Sequence, residues 1–183
     1  MKKIIIIAVI FIMLIISLLL IFKNKEYNDE NVLYTVKFSN TSLRIVRYDY
    51  SLGNNQIIGV EKYNGKTYKK ITKDIITVSM EPKFIFLNKQ LGFIISKSNL
   101  TKSNNYLGLK VTNDGGINFI DSKIIYDNTN IDILTIEDVP YIENKLLKLP
   151  CSIYQINEDK SGYEDKKLIF ISYDNGLTWY LEE

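Results

Sequence analysis

Any chemistry in this chain has to be done without histidine. None occurs among its 183 residues, which removes Ser/His/Asp and Cys/His nucleophilic systems and the usual zinc sites. Two carboxylates flanking a bond could still serve as acid and base. Yet many of the 21 acidic residues, Glu158, Asp159, Glu164 and Asp165 among them, sit in turns or beside lysines, where solvation accounts for them. Tyr163 beside Glu164 supplies a nucleophile and a partner by residue type, but neighbours on an extended segment face opposite ways. Arg44 and Arg47 are the only arginines; three apart in one predicted strand, they also point apart. Cys151 is the lone cysteine, in LLKLPCSIYQI, and reads as a small buried apolar residue. Asp114 and Asp174 lack the DxDxDG spacing that gathers calcium ligands on one loop, and neither GxxxxGK nor GxGxxG occurs. No catalytic residue, metal or cofactor is expected.

The two aspartates have a better explanation as turn residues. SYDNGLTW (Ser172 to Trp179), TNDGGINF (Thr112 to Phe119) and EKYNGKTY (Glu61 to Tyr68) align on Gly176, Gly116 and Gly65. Thr178, Asn118 and Thr67 fall next but one, and the aromatics Trp179, Phe119 and Tyr68 follow. Each copy reads as a tight connection between antiparallel strands. The aspartate accepts backbone N–H bonds, glycine supplies a positive φ, and the Ser172 hydroxyl adds a local bond. Trp179 would return across the hairpin as an apolar plate and stiffen it. The glycines are spaced by about 50 and 60 residues, roughly one β-propeller blade and too long for most helical solenoids.

SYDNGLTW resembles the Asp-box, or bacterial neuraminidase repeat, at all its defining positions. TNDGGINF is similar to it with Thr112 and Phe119 substituted, and EKYNGKTY resembles a decayed copy that keeps Gly65, Thr67 and Tyr68. KFIFLNKQLGFIIS followed by YLGLKVTNDGG also has the strand, turn and strand rhythm of sialidase-like and photosystem-assembly-factor-like propellers. The resemblance implies an all-β fold and covers nearly everything after residue 30, in a family of many unrelated activities. It does not carry over sialidase activity. That activity uses three arginines to grip the substrate carboxylate, together with a tyrosine–glutamate pair and an aspartate; two arginines on opposite faces of one strand cannot form the triad.

Ahead of the repeats, Ile4 to Phe22 is an unbroken apolar run with Ser17 its one polar member. At the rise of an α-helix it is about 28 Å long, enough to cross a bilayer core. No small-residue cleavage site or lipid-accepting cysteine follows, so it reads as an uncleaved signal anchor. Lys2 and Lys3 precede it, and Lys23 and Lys25 are soon followed by Glu26, Asp29 and Glu30, placing the N-terminus in the cytoplasm. Lys2 and Lys3 account for the whole net charge of +2, leaving the rest neutral. With no basic cluster interleaved with aromatics, nucleic acid is not an expected partner. The expected organisation is a transmembrane signal anchor over 1–22, a polar linker over 23–31 and an extracytoplasmic domain over 32–183.

Short runs rich in Ile, Val, Tyr and Phe predict three groups of four strands. They are Val32 to Phe38, Leu43 to Tyr48, Gln56 to Lys62 and Thr67 to Ile71; then Lys83 to Leu87, Leu91 to Ser96, Tyr106 to Thr112 and Asn118 to Asp121. The third group is Ile131 to Ile136, a middle portion with Lys145 to Leu149 and Ser152 to Asn157, then Lys167 to Ser172 and Thr178 to Leu181. Each glycine turn falls between the third and fourth strands. The predicted fold is all-β, three four-stranded antiparallel blade-like units forming a small or partial β-propeller after the transmembrane helix. Propellers normally close with about four to eight blades, so three units either close compactly or are completed by another copy or a partner. The function expected is a membrane-anchored, non-enzymatic protein-binding module, an envelope assembly factor or a toxin-immunity protein. Exposed aromatics such as Tyr48, Tyr50, Tyr106, Tyr141 and Tyr163 would form its contact surface. The alternative is a diverged glycan hydrolase with a carboxylate pair.

Overall fold

The computed structural model describes residues 29–79, 81–96, 99–101, 108–126, 131–156 and 162–182. The expected anchor over 1–22, most of the linker, and Tyr106 lie outside them. The described chain is all-β, with no α-helix among the described residues.

Alternating apolar and polar residues in the first segments give strands with one face to bury. β1 (Val32–Phe38), β2 (Thr41–Tyr50), β3 (Gln56–Tyr63), β4 (Tyr68–Lys70) and β5 (Ile76–Val78) form the first sheet, ordered β1-β2-β3-β4, with β5 also paired to β3. The chain continues through β6 (Lys83–Phe86), β7 (Gly92–Ile95), β8 (Asn99–Thr101), β9 (Leu109–Thr112) and β10 (Ile120–Asp121). Of these, β6, β7, β9 and β10 make the second sheet, ordered β10-β9-β7-β6. β11 (Lys123–Ile125), β12 (Ile131–Ile136), β13 (Tyr141–Glu143), β14 (Leu146–Ile156), β15 (Tyr163–Ser172) and β16 (Thr178–Leu181) complete the set. The third sheet runs β11-β16-β15-β14-β12-β8, with β13 also paired to β14.

Three sheets therefore form, and each glycine turn joins two neighbouring antiparallel strands of its own sheet, β3 to β4, β9 to β10 and β15 to β16. The sheets hold five, four and seven strands, not four each. β5, β8, β11 and β13 are too short to carry a readable period. β11 pairs with β16 in parallel, so the chain leaving the second turn reinforces the edge of the third sheet. The two segments expected in the middle of the third group are one strand, β14. Pro150 breaks the sequence pattern there but lies where the neighbour of β14 changes from β13 to β12, so its missing N–H interrupts no continuous ladder on that side.

The second sheet lies between two cores. Leu43, Ile45, Ile58 and Val60 of the first sheet cluster with Phe86 and Ile94 of the second. Phe93, Ile95, Leu109 and Val111 of the second cluster with Leu149, Cys151, Phe170 and Trp179 of the third. Successive residues of β7 thus serve opposite faces, which is why Gly92, Phe93, Ile94 and Ile95 are all buried and why that strand reads as a continuous apolar run. Fully burying each such side chain stabilises by roughly 1.5–3 kcal/mol.

Candidate functional site

The second and third turns are built alike. Thr112 Oγ1 donates to Asp114 Oδ1 at 2.8 Å and accepts from Gly116 N at 2.8 Å. Ser172 Oγ donates to Asp174 Oδ1 at 2.8 Å and accepts from Gly176 N at 2.8 Å. Asp114 Oδ1 then accepts from Ile117 N and Asn118 N, both at 3.0 Å, and Asp174 Oδ1 from Thr178 N at 2.8 Å. Burial works against ionisation of both carboxyls but is outweighed by hydrogen bonds, to Asp114 from Asn118, Thr112 and Ile117, and to Asp174 from Thr178, Ser172 and Leu177. Both pKa values lie below the usual carboxylate range. Hydroxyl and carboxylate are consumed in shaping the corner, leaving neither poised as nucleophile or base.

Both corners also seat on the preceding sheet. Gly116, at φ +96°, lies against Val60 of β3, where a Cβ would come 2.7 Å from Val60 Cγ2. Gly176, at φ +85°, lies against Phe93 of β7, where a Cβ would come 2.6 Å from Phe93 Cζ. Thr72 Oγ1 donates to Gly116 O at 2.9 Å, and Ser122 Oγ to Gly176 O at 2.6 Å. Lys73 N donates to Ile117 O and Lys123 N to Leu177 O. The same set of contacts therefore joins the first sheet to the second and the second to the third.

The first turn differs. Glu61 stands at the hydroxyl position and Tyr63 at the aspartate position, and Asn64 Oδ1 accepts from Lys66 N at 3.0 Å and Thr67 N at 2.9 Å. Gly65 has φ +94° with nothing within 4 Å of a Cβ placed on it.

The aromatics of the three turns meet different surroundings. Trp179 is fully buried with its ring 6.0 Å from Phe93; instead of lying across its own hairpin it enters the core between the second and third sheets, where a large apolar side chain gains more from burial. Phe119 packs on the core of the first and second sheets. Tyr68 is half-buried, with the Arg44 guanidinium carbon 4.0 Å from its ring centre.

That arginine belongs to a cluster the sequence reading did not assemble. Glu61 is 3% exposed and accepts from Arg44 Nε at 2.8 Å and from Tyr48 Oη at 3.1 Å. The Lys70 ammonium sits 4.7 Å above the Tyr48 ring, and Gly59 leaves room for that ring, since a Cβ would come 2.6 Å from Tyr48 Cε2. Tyrosine, glutamate and arginine thus converge, but both carboxylate oxygens are occupied and closed off, the arrangement of a structural ion pair. Arg47 lies instead over Tyr50. The signal for this cluster was Glu61 where the other copies have a hydroxyl, cross-strand from Arg44.

Of the aromatics expected to form a contact surface, Tyr50 and Tyr141 are exposed, whereas Tyr48 is engaged by Glu61. Tyr163 and Glu164 are successive residues of β15, in backbone register with Ile156 and Gln155 of β14. Burial, with the charge of Glu137 adding to it, pushes the Cys151 thiol up to about 12, so it is inert at neutral pH. Among the described residues no group of three or more His, Cys, Asp or Glu side chains could hold a metal ion, and no helix is long and apolar enough to cross a membrane.

One cavity, of about 240 Å³, opens beside the third turn and is lined by Leu91, Ile142, Lys145, Leu147, Tyr173 and Asn175 among others. No family model matches the chain, and neither the curated proteins nor the solved structures yield a match.

Proposed function

We propose that the chain is a membrane-anchored, extracytoplasmic protein-binding module without enzymatic activity, an envelope assembly factor or a toxin-immunity protein, built from blade-like Asp-box units. The blade reading is supported by the recurrence of one contact set at both sheet junctions, Thr72 to Gly116 and Ser122 to Gly176, as expected of units related by a repeated small rotation. Anchoring is supported by the apolar run from Ile4 to Phe22, long enough to span a bilayer.

The observation that carries the binding reading is the exposed apolar surface of the third sheet. Ile125, Tyr141, Tyr154 and Tyr180 share one face of that sheet through the pairs Ile125–Tyr180, Ile171–Tyr180, Lys148–Ile171 and Tyr141–Lys148, and are between 36% and 50% exposed. Aromatic side chains in such a set supply contact area at low entropic cost, and clustered exposed apolar residues mark interaction surfaces.

A photo-reactive amino acid placed at Tyr154 or Tyr180 of the full chain in its native membrane tests this. One discrete protein adduct from these positions, and none from the more exposed Leu52 in the turn between β2 and β3, is the expected result. Equal labelling from Leu52, or no adduct at all, rejects the third sheet as the binding face. Protease added outside intact cells should remove the domain if it faces outward.

A further inference from the structure

The second and third units share one corner, closed in one and open in the other. Cross-strand pairs Gly92–Thr112 and Leu147–Ser172 place Gly92 and Leu147 at the same register position. Two residues earlier stand Gln90 and Lys145, and one residue past each turn aspartate stand Gly115 and Asn175. In the second unit Gly115 N donates to Gln90 O at 2.8 Å, and a Cβ on Gly115 would come 2.6 Å from Lys89 O. That corner has no space for a side chain. In the third unit the equivalent residues, Lys145 and Asn175, line the cavity of about 240 Å³.

Backbone strain is concentrated at the same place. Among the described residues, the non-glycine residues at positive φ are Asn144 (+50°), Lys145 (+66°) and Asn175 (+59°). Asparagine tolerates that region, but lysine has no local compensation for it. A two-residue hairpin loop such as Asn144–Lys145 ordinarily takes glycine at its second position. Lys145 stands where glycine is favoured and lines the cavity, and outliers of this kind cluster at ligand clamps.

The chemistry of the lining is specific. Leu91, Ile142 and Leu147 supply apolar surface, whereas Lys145, Tyr173 and Asn175 supply a cation and neutral polar groups. No carboxylate lines the cavity. The nearest in sequence are committed elsewhere, Asp174 to its turn and Glu143 to Lys148 at 2.9 Å.

We propose that this cavity binds a small organic anion with an apolar body, a carboxylate set against Lys145, Tyr173 and Asn175 while a short hydrocarbon group covers Leu91, Ile142 and Leu147. At about 30 Å³ per water-sized group, the space holds roughly eight heavy atoms. A branched six-carbon acid and the C-terminal leucine of a polypeptide present this same chemistry. The site does not depend on the third sheet's exposed strands being a protein-binding face.

Ligand-detected NMR titration of the full chain in non-ionic detergent tests the site, with 4-methylpentanoate as probe. Saturable binding is expected, weakened about tenfold for the neutral 4-methylpentanamide, which lacks the charge-assisted contact. Lys145→Gly, which suits the backbone there, should weaken binding about tenfold while leaving the melting temperature unchanged or higher. Tyr173→Phe, at an exposed position, should weaken it by about a factor of three with folding intact. Acetyl-Ala-Leu against 4-methylpentanoate distinguishes the sources: tighter binding of the dipeptide acid assigns a polypeptide terminus, and the reverse assigns a free acid. Absence of saturation with both acids, equal affinity for acid and amide, or unchanged affinity in Lys145→Gly overturns the proposal.

Discussion

The first glycine turn and the other two share a glycine at positive φ and an aromatic three residues on, yet their glycines are needed for different reasons. Gly116 and Gly176 carry two demands, a left-handed backbone and a close seat against Val60 or Phe93 of the preceding sheet. Gly65 carries the backbone demand alone, with open space where a side chain would go. The surroundings follow the same division. Trp179 and Phe119 enter cores between sheets, while Tyr68 lies under Arg44 on a face closed by Glu61, Tyr48 and Lys70. Charged and stacked groups cover that face of the first sheet, opposite the one whose Ile45 and Val60 enter the core. At the third sheet, Glu182 N donates to Ile169 O as Ser122 N does to Leu109 O. Glu182 thus occupies the position of the bridging hydroxyl, and its carboxylate pairs with Lys148 at 2.6 Å.

The sharpest way to break this comparison is to load the three glycines equally. Gly176→Val should destabilise by about 3 kcal/mol or more, because overpacking against Phe93 adds to the left-handed penalty. Gly116→Val should cost a similar amount against Val60. Gly65→Val should cost only about 1–2 kcal/mol, the backbone term alone. Denaturant unfolding of the full-length variants measures all three, and an equal cost at Gly65 would show that the seat contributes nothing. Next in size are the hydroxyl bridges. Thr72 Oγ1 accepts from Val60 N at 2.6 Å and donates to Gly116 O, so Thr72→Val should cost about 2 kcal/mol by leaving two buried backbone groups without that partner. Ser122→Ala removes the hydroxyl that donates to Gly176 O and should cost about 1 kcal/mol.

The contrast also explains what was legible in the sequence. Strand positions around each turn could be read because alternation and turn residues are local: β1, β12 and β16 were expected over the residues they occupy, and β3 to within one residue. The internal chemistry of the second and third turns was equally local, since every bond spans at most four residues. What could not be read depends on partners distant in sequence. Thr72 and Ser122 look like ordinary loop residues until Gly116 and Gly176, 44 and 54 positions later, are set against them. Trp179 was expected on its own hairpin because its true neighbour, Phe93, belongs to another sheet. Lys145 gave no warning at all, because its meaning lies in the backbone angle it adopts and in Gly115 being closed where Asn175 is open.

The smallest expected effects separate the turns by titration. Asp174→Ala removes bonds to backbone and hydroxyl at an exposed corner and should cost about 1 kcal/mol, without selectively abolishing binding. Loss of binding at unchanged melting temperature would give the aspartate a role beyond the turn. Asp114 and Asp174 have folded-state pKa values below their unfolded values, so the native state favours their ionised forms. Their stabilisation is complete above the unfolded value near 4 and is lost as pH falls through the folded values. In the first turn the group that accepts from Lys66 N and Thr67 N is the Asn64 amide, which does not titrate. Replacing both aspartates by asparagine should therefore flatten the loss of stability below about pH 4. Asn64→Asp should steepen it, placing a titrating acceptor where the amide now stands. If the double asparagine variant keeps the parent's acid slope, carboxylates outside these corners govern it, and the electrical distinction between the first turn and the others disappears.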